Sequence, residues 1–151
     1  MPMYMVFSPH AFRLVVLTPI LIWVAWKDLR SSLIPNTACL LLLALGLAMP
    51  AVEGWDVSWG EAMGAATLIF CVTFVLYLLG QGAGDAKLLT GLASVFGYSI
   101  IVVAALAYLL AGVAAVALLL AKRITRQSRI PLAPAIALSC WSYLLFIILR
   151  K

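Results

Sequence analysis

The chain has 151 residues, of which 66% are hydrophobic and only 10% charged, with a mean hydropathy of +1.18. Water-soluble domains run about 45–50% apolar and about 25% charged, so a soluble fold is excluded and the chain reads as an integral membrane protein. The net charge of +5 gathers at the ends of apolar runs, with no aromatic-interleaved basic stripe, and therefore points to anionic lipid headgroups rather than nucleic acid.

Six apolar segments follow one another along the chain. The first runs from Val6 to Trp26, with Arg13 near its start and Pro19 inside it. No small-residue cleavage site follows it, so it is expected to remain in the membrane rather than be removed as a signal. The second runs from Ile34 to Val52 and the third from Ala62 to Leu79. The fourth is short, from Asp85 to Phe96. The fifth runs from Ser99 to Ala121 and the sixth from Ile130 to Leu149. Leu, Ala and Val dominate, and the alternation of an outer-membrane barrel is absent. Helices are expected throughout, because a helix satisfies its own backbone in lipid. Gly97-Tyr98-Ser99 breaks what would otherwise be one long helix. With no repeat, low-complexity tract or separate soluble stretch, residues 1–151 read as a single membrane-embedded domain.

Charge sets the expected topology. Lys27 and Arg30 flank the first loop, Lys87 lies in the third, and Lys122, Arg123, Arg126 and Arg129 lie in the fifth. The second loop carries Glu53, Asp56 and Glu61 and no Lys or Arg. The positive-inside rule puts the odd loops in the cytoplasm. Two crossings are then needed between Lys87 and Lys122, giving an all-α protein of six transmembrane helices with both termini periplasmic. Arg13, Arg150 and Lys151 run against that rule. The fourth helix is too short for a hydrocarbon core of roughly 30 Å, so the Gly82–Asp85 turn is expected in a sheltered recess below the membrane surface.

Only five residues are acidic. Three share the outer loop, where solvated charge is ordinary. Asp28 and Asp85 remain, each at the cytoplasmic end of a membrane helix, where an ionisable group invites a functional reading. One alternative makes Asp28 a solvated helix stop paired with Lys27 or Arg30. Another makes Asp85 the N-cap of the fourth helix, with Gly82 and Gly84 serving only its turn. The chemical reading is a carboxylate pair. Two acids held close cannot both ionise cheaply, so they share a proton. One then takes a proton from water while the other polarises a peptide carbonyl, which is aspartic-protease chemistry. No nucleophilic triad competes with it, because His10 is the one histidine and sits toward the opposite face. Cys39, Cys71 and Cys140 all lie inside apolar runs without a C-x-x-C pair, so neither a disulfide framework nor a zinc site is indicated. No cofactor or metal is expected.

The stretch Asp28-Leu29-Arg30-Ser31-Ser32-Leu33-Ile34-Pro35-Asn36 resembles the first aspartate motif of the type IV prepilin peptidases. Gly82-Ala83-Gly84-Asp85-Ala86-Lys87 resembles their G-x-G-D-x-K motif, and Pro131-Leu132-Ala133-Pro134-Ala135-Ile136 the Pro-rich start of their last helix. The resemblance covers nearly the whole chain. It implies a membrane aspartic endopeptidase that removes a short basic leader from pilin-like precursors at the cytoplasmic face of the bacterial inner membrane. By the same resemblance Asp28 and Asp85 are the catalytic pair, with Arg30, Pro35, Asn36, Gly82, Gly84 and Lys87 in support. Gly82 and Gly84 would let the backbone bend Asp85 toward Asp28, an approach that a Cβ at either position would obstruct. Lys87 would anchor the motif at the headgroups or tune the pair. Pro35 would suit the first turn of the second helix, and Asn36 would bond across the site or serve that helix start. Larger members carry an added segment with paired C-x-x-C motifs and methylate the new N-terminus. This sequence shows neither motif and is similar to the small form that serves Flp-like pili, so methyl transfer is not expected. Gly64, Ala65 and Ala66 suggest a small-residue surface against the precursor's hydrophobic helix. Two competing readings remain at this stage: an intramembrane protease of the presenilin or signal-peptide-peptidase kind, and a proton-coupled transporter or assembly subunit using both acids as a relay.

Overall fold

The computed structural model describes residues 8–52, 54–122 and 131–150. These contain helices and no strand, in the order α1 (Pro9–Ser31), α2 (Asn36–Ala48), α3 (Trp59–Leu78), α4 (Ala83–Phe96), α5 (Ile100–Leu120) and α6 (Ala133–Arg150). Glu53, Arg123, Arg126, Arg129 and Lys151, on which part of the topology reading rests, lie outside the described residues.

Local chemistry explains the boundaries. Ser8 caps α1, its hydroxyl accepting from the Ala11 N–H at 3.2 Å, with Pro9 at the first helical position. The other end of α1 closes on Ser32, whose left-handed backbone (φ 50°) lets its N–H reach the Asp28 carbonyl at 2.8 Å. Ser58 and Glu61 form a reciprocal capping box at the start of α3. A short 3-10 turn over Met49–Ala51 extends α2, and a second one, Gly97–Ser99, separates α4 from α5. Gly97 sits at φ 58°, a conformation that few residues other than glycine adopt readily.

That turn reverses the chain. Gln81, just before α4, bonds to Tyr108 on α5, 27 residues further on. In one straight helix those residues would stand about 40 Å apart, so α4 and α5 form an antiparallel hairpin. By length and apolarity four helical stretches are able to cross a bilayer: Pro9–Ser31, Trp59–Leu78, Ala83–Leu120 (which contains the hairpin) and Ala133–Arg150; Asn36–Ala51 is shorter. The multi-pass reading of the sequence is therefore retained, with α4 as short as expected, at about 21 Å.

The central helix is α4, whose Leu88, Leu89, Leu92, Ala93, Ser94, Val95 and Phe96 are all buried. It packs on α2 and α3, while α1 packs on α6 and α6 on α5. Small residues permit the close approaches, as is usual between membrane helices. Gly91 lies against the Cys39 carbonyl and Leu42, and Gly46 against Ser94. The Ser94 hydroxyl is spent within the core on the Gly91 carbonyl at 2.7 Å. Outward-facing positions such as Leu40, Phe70, Val102, Leu109 and Phe146 are exposed, as a lipid-facing surface requires.

At the end of the bundle away from Asp28 and Asp85, the structure accounts for Arg13. It is buried, and its guanidinium grips both carboxylate oxygens of Asp56, one at 3.0 Å. The same group stacks over Trp55 at 4.5 Å, and His10 lies 3.3 Å away. The charge that ran against the topology rule is thus neutralised by an acid of the α2–α3 loop.

Candidate active site

Asp28 occupies the last turn of α1 and is 95% buried, at 5% relative exposure. Its Oδ2 accepts the backbone N–H of Ala133 at 3.1 Å. Ala133 is the first residue of α6, where a backbone N–H has no partner within its own helix. The carboxylate is therefore held by the helix end that begins in the Pro-rich stretch. Arg30 does not pair with it; its guanidinium lies 4.2 Å over the Trp26 ring. A solvated stop is not what the structure shows.

Asp85 sits in the first turn of α4, half-buried. The N-cap is Gly82, which makes no side-chain capping bond, so the reading of Asp85 as the cap is set aside. Asp28 and Asp85 come from helices far apart in sequence and lie within electrostatic reach of one another. Among the described residues, no cluster of three or more His, Cys, Asp or Glu side chains is placed to hold a metal ion.

The glycines of the second motif matter for space rather than for backbone freedom. Gly82 has an ordinary φ of −66°, and the positive-φ glycine of this loop is Gly80, at 107°. A Cβ on Gly82 would stand 3.2 Å from the Asp85 Oδ2. A Cβ on Gly84 would stand 3.0 Å from the Cβ of Ile34, in the first motif. The two motifs therefore touch backbone to side chain. They also touch through polar groups, since Lys87 Nζ donates to Asn36 Oδ1 at 3.2 Å. Pro35 falls one position earlier than expected, at the N-cap of α2, and its carbonyl accepts from Ala38 at 3.1 Å. Boundaries of this kind shift readily by one residue.

One polar contact at this end went unread in the sequence. Gln81 Nε2 donates to Tyr108 Oη at 2.7 Å. The available signal was composition: Tyr108 is the one polar side chain in α5, IIVVAALAYLLAGVAAVALLL. The proposed small-residue surface on α3 does not survive. Ala65 and Ala66 are buried within the protein's own core, and half-buried Gly64 lies against the Tyr98 hydroxyl, which a Cβ there would meet at 2.5 Å. Those small residues serve the packing of α3 rather than a partner.

Comparison with known proteins gives two matches. Residues 15–120, more than half of the chain, match the model of the type IV leader peptidase family. The chain is also similar to the prepilin leader peptidase/N-methyltransferase of Bacillus subtilis (strain 168), with 31% identity over 133 residues. That match takes in 86% of the chain and 54% of the relative, so the chain spans about half the length of that protein. No solved structure matches.

Proposed function

The chain belongs to the type IV leader peptidase family, and from that premise we propose that it is a membrane aspartic endopeptidase that cleaves the basic leader from Flp-like prepilins. The observation that supports the reading is the placement of Asp28 and Asp85: two acids from separate helices, within electrostatic reach at one end of the bundle, one of them almost fully buried. A stability role explains this poorly, because burying like charges together disfavours the fold.

In the proposed reaction the pair holds one proton. One carboxylate takes a proton from a water molecule as its oxygen attacks the scissile carbonyl. The other carboxyl gives its proton to the carbonyl oxygen. The tetrahedral intermediate then collapses, the C–N bond breaks, and the leaving amine takes up a proton from the pair. The products are the free leader and a pilin with a new N-terminus.

Charge supports a cytoplasmic site. Lys27, Arg30 and Lys87 flank the aspartates, whereas Asp56 and Glu61 lie at the other end, and cytoplasmic loops favour Lys and Arg. With the α4–α5 hairpin, six crossings and periplasmic termini follow from the same rule, and the bacterial inner membrane is the proposed location. The Flp-like substrate class rests on the sequence resemblance alone.

The test is co-expression with a leader-bearing Flp-like precursor, followed by the precursor's mass. Loss of the leader mass is expected. A precursor left intact beside membrane-inserted enzyme, across several pilin-like precursors, would contradict the reading, and proton-driven flux in vesicles would then favour a relay.

A further inference from the structure

We propose that Gln81 and Tyr108 are positioning residues of the catalytic centre, the bond between them tying the loop that carries Asp85 to α5 and so setting Asp85 against Asp28. The inference rests on the aspartate pair proposed above. It starts from how the helices pack. Asp85 belongs to α4, which packs on α2 and α3, and Asp28 to α1, which packs on α6. All of these helices share one apolar core, but the two acids stand on helices whose main packing partners differ, so their separation depends on what joins those helices at this level.

Two polar ties do so in series. Asp28 is bonded to the first N–H of α6 at 3.1 Å, and α6 packs along α5. Tyr108 of α5 receives the Gln81 amide at 2.7 Å. Gln81 lies in the turn between Gly80 and Gly82, immediately before the helix whose first turn bears Asp85. Asp85 itself lies within electrostatic reach of the Tyr108 phenolic oxygen. The Arg13–Asp56 grip at the far end joins α1 to the outer loop but not the acids to each other.

The chemistry of the pair argues against a mere brace. A lone hydroxyl in an otherwise apolar membrane helix lowers stability unless it is bonded. The Gln81 amide bonds it but leaves its own Oε1 buried without a partner. Two apolar side chains of the same shape would hold the helices together without that penalty. Arg13 Nε, Trp55 Nε1 and Trp141 Nε1 are also buried without a partner, but Gln81 Oε1 stands in the turn that leads directly into the helix bearing Asp85, where an unspent polar group calls for a role.

The test uses the membrane-inserted full chain and a leader-bearing precursor, comparing Tyr108→Phe, Gln81→Leu, the double variant, and Leu109→Ala as a lipid-facing control. Small misplacements of reacting groups lower the rate up to about 100-fold. We expect kcat to fall about tenfold or more in each single variant, with KM changed less than about twofold, because the loss is one of alignment. The double variant should lose no more than either single, since one bond is removed in all three. The pH profile should move in Tyr108→Phe and not in Leu109→Ala. Full kcat in Tyr108→Phe, multiplying losses in the double variant, or a loss matched by a fall in folded protein on a melting curve would each overturn the positioning role while leaving the peptidase standing. A wild-type chain that cleaves no precursor would overturn both.

Discussion

Lys87 Nζ donates to Asn36 Oδ1 at 3.2 Å, joining the stretch that holds Asp85 to the stretch that follows Asp28. The bond is exposed, and exposed polar pairs contribute little, about 0–1 kcal/mol. Its expected part is register between the start of α2 and the start of α4. Lys87→Ala and Asn36→Ala should each slow precursor cleavage by roughly two- to fivefold, and the double substitution should do no worse than the more harmful single. Rates from a time course of precursor mass check this. A loss above about 100-fold in either would place that side chain in the chemistry.

Glycines at two levels should separate activity from stability. At Gly84 a Cβ meets Ile34 at 3.0 Å, beside the aspartates. Gly84→Ala should push α4 off the first motif and lower cleavage by about tenfold or more, since small misplacements are amplified at a reacting centre. At Gly46 a Cβ would overlap Ser94 in the core, standing 2.5 Å from its backbone carbon. Gly46→Ala should lower the melting temperature in detergent by an amount equivalent to about 1–3 kcal/mol. Gly112→Ala, with open space at its Cβ, should do neither. Equal melting temperatures for Gly46→Ala and wild type would contradict the packing described.

Arg13 and Asp56 make a prediction about folding alone. The Arg13 side chain is 3% exposed and Asp56 39%. Asp56→Ala strands a buried guanidinium, which costs about 3–5 kcal/mol when both partners are fully buried; the half-solvated Asp56 puts the expected loss at the lower end. Denaturation in detergent measures it. Substrate cleavage by the protein that remains folded should be near normal, because the grip lies at the end opposite the aspartates. A selective loss of cleavage with unchanged stability would contradict this.

Much of the architecture was legible because lipid imposes simple rules. Apolar length gave the helices, and Gly97-Tyr98-Ser99 gave the break between α4 and α5. The short α4 was visible because Gly82 and Gly84 punctuate the sequence before Asp85. The two acids proposed as the catalytic pair stood out because so few acids are present. Tertiary pairings were less legible. Nothing local in the sequence says that Arg13 seeks Asp56, that the Ala133 N–H seeks Asp28, or that Gln81 seeks Tyr108, because each pair meets only after the helices pack. At Gly82 and Gly84 the expected crowding of a Cβ is what the structure shows, while the positive backbone angle falls on Gly80. Ala65 and Ala66 were misread as a partner surface because small residues look alike whether they meet another protein or the chain's own core.

The most direct measurement is the fate of a leader-bearing precursor with Asp28→Asn and with Asp85→Asn, each shown to be inserted in the membrane. Either change preserves shape and removes a carboxylate that the pair needs. We predict that wild type releases the leader and that each variant is slowed by about 100-fold or more. Retention of near-wild-type cleavage by either variant would contradict the two-carboxylate centre, whatever else the chain proves to bind.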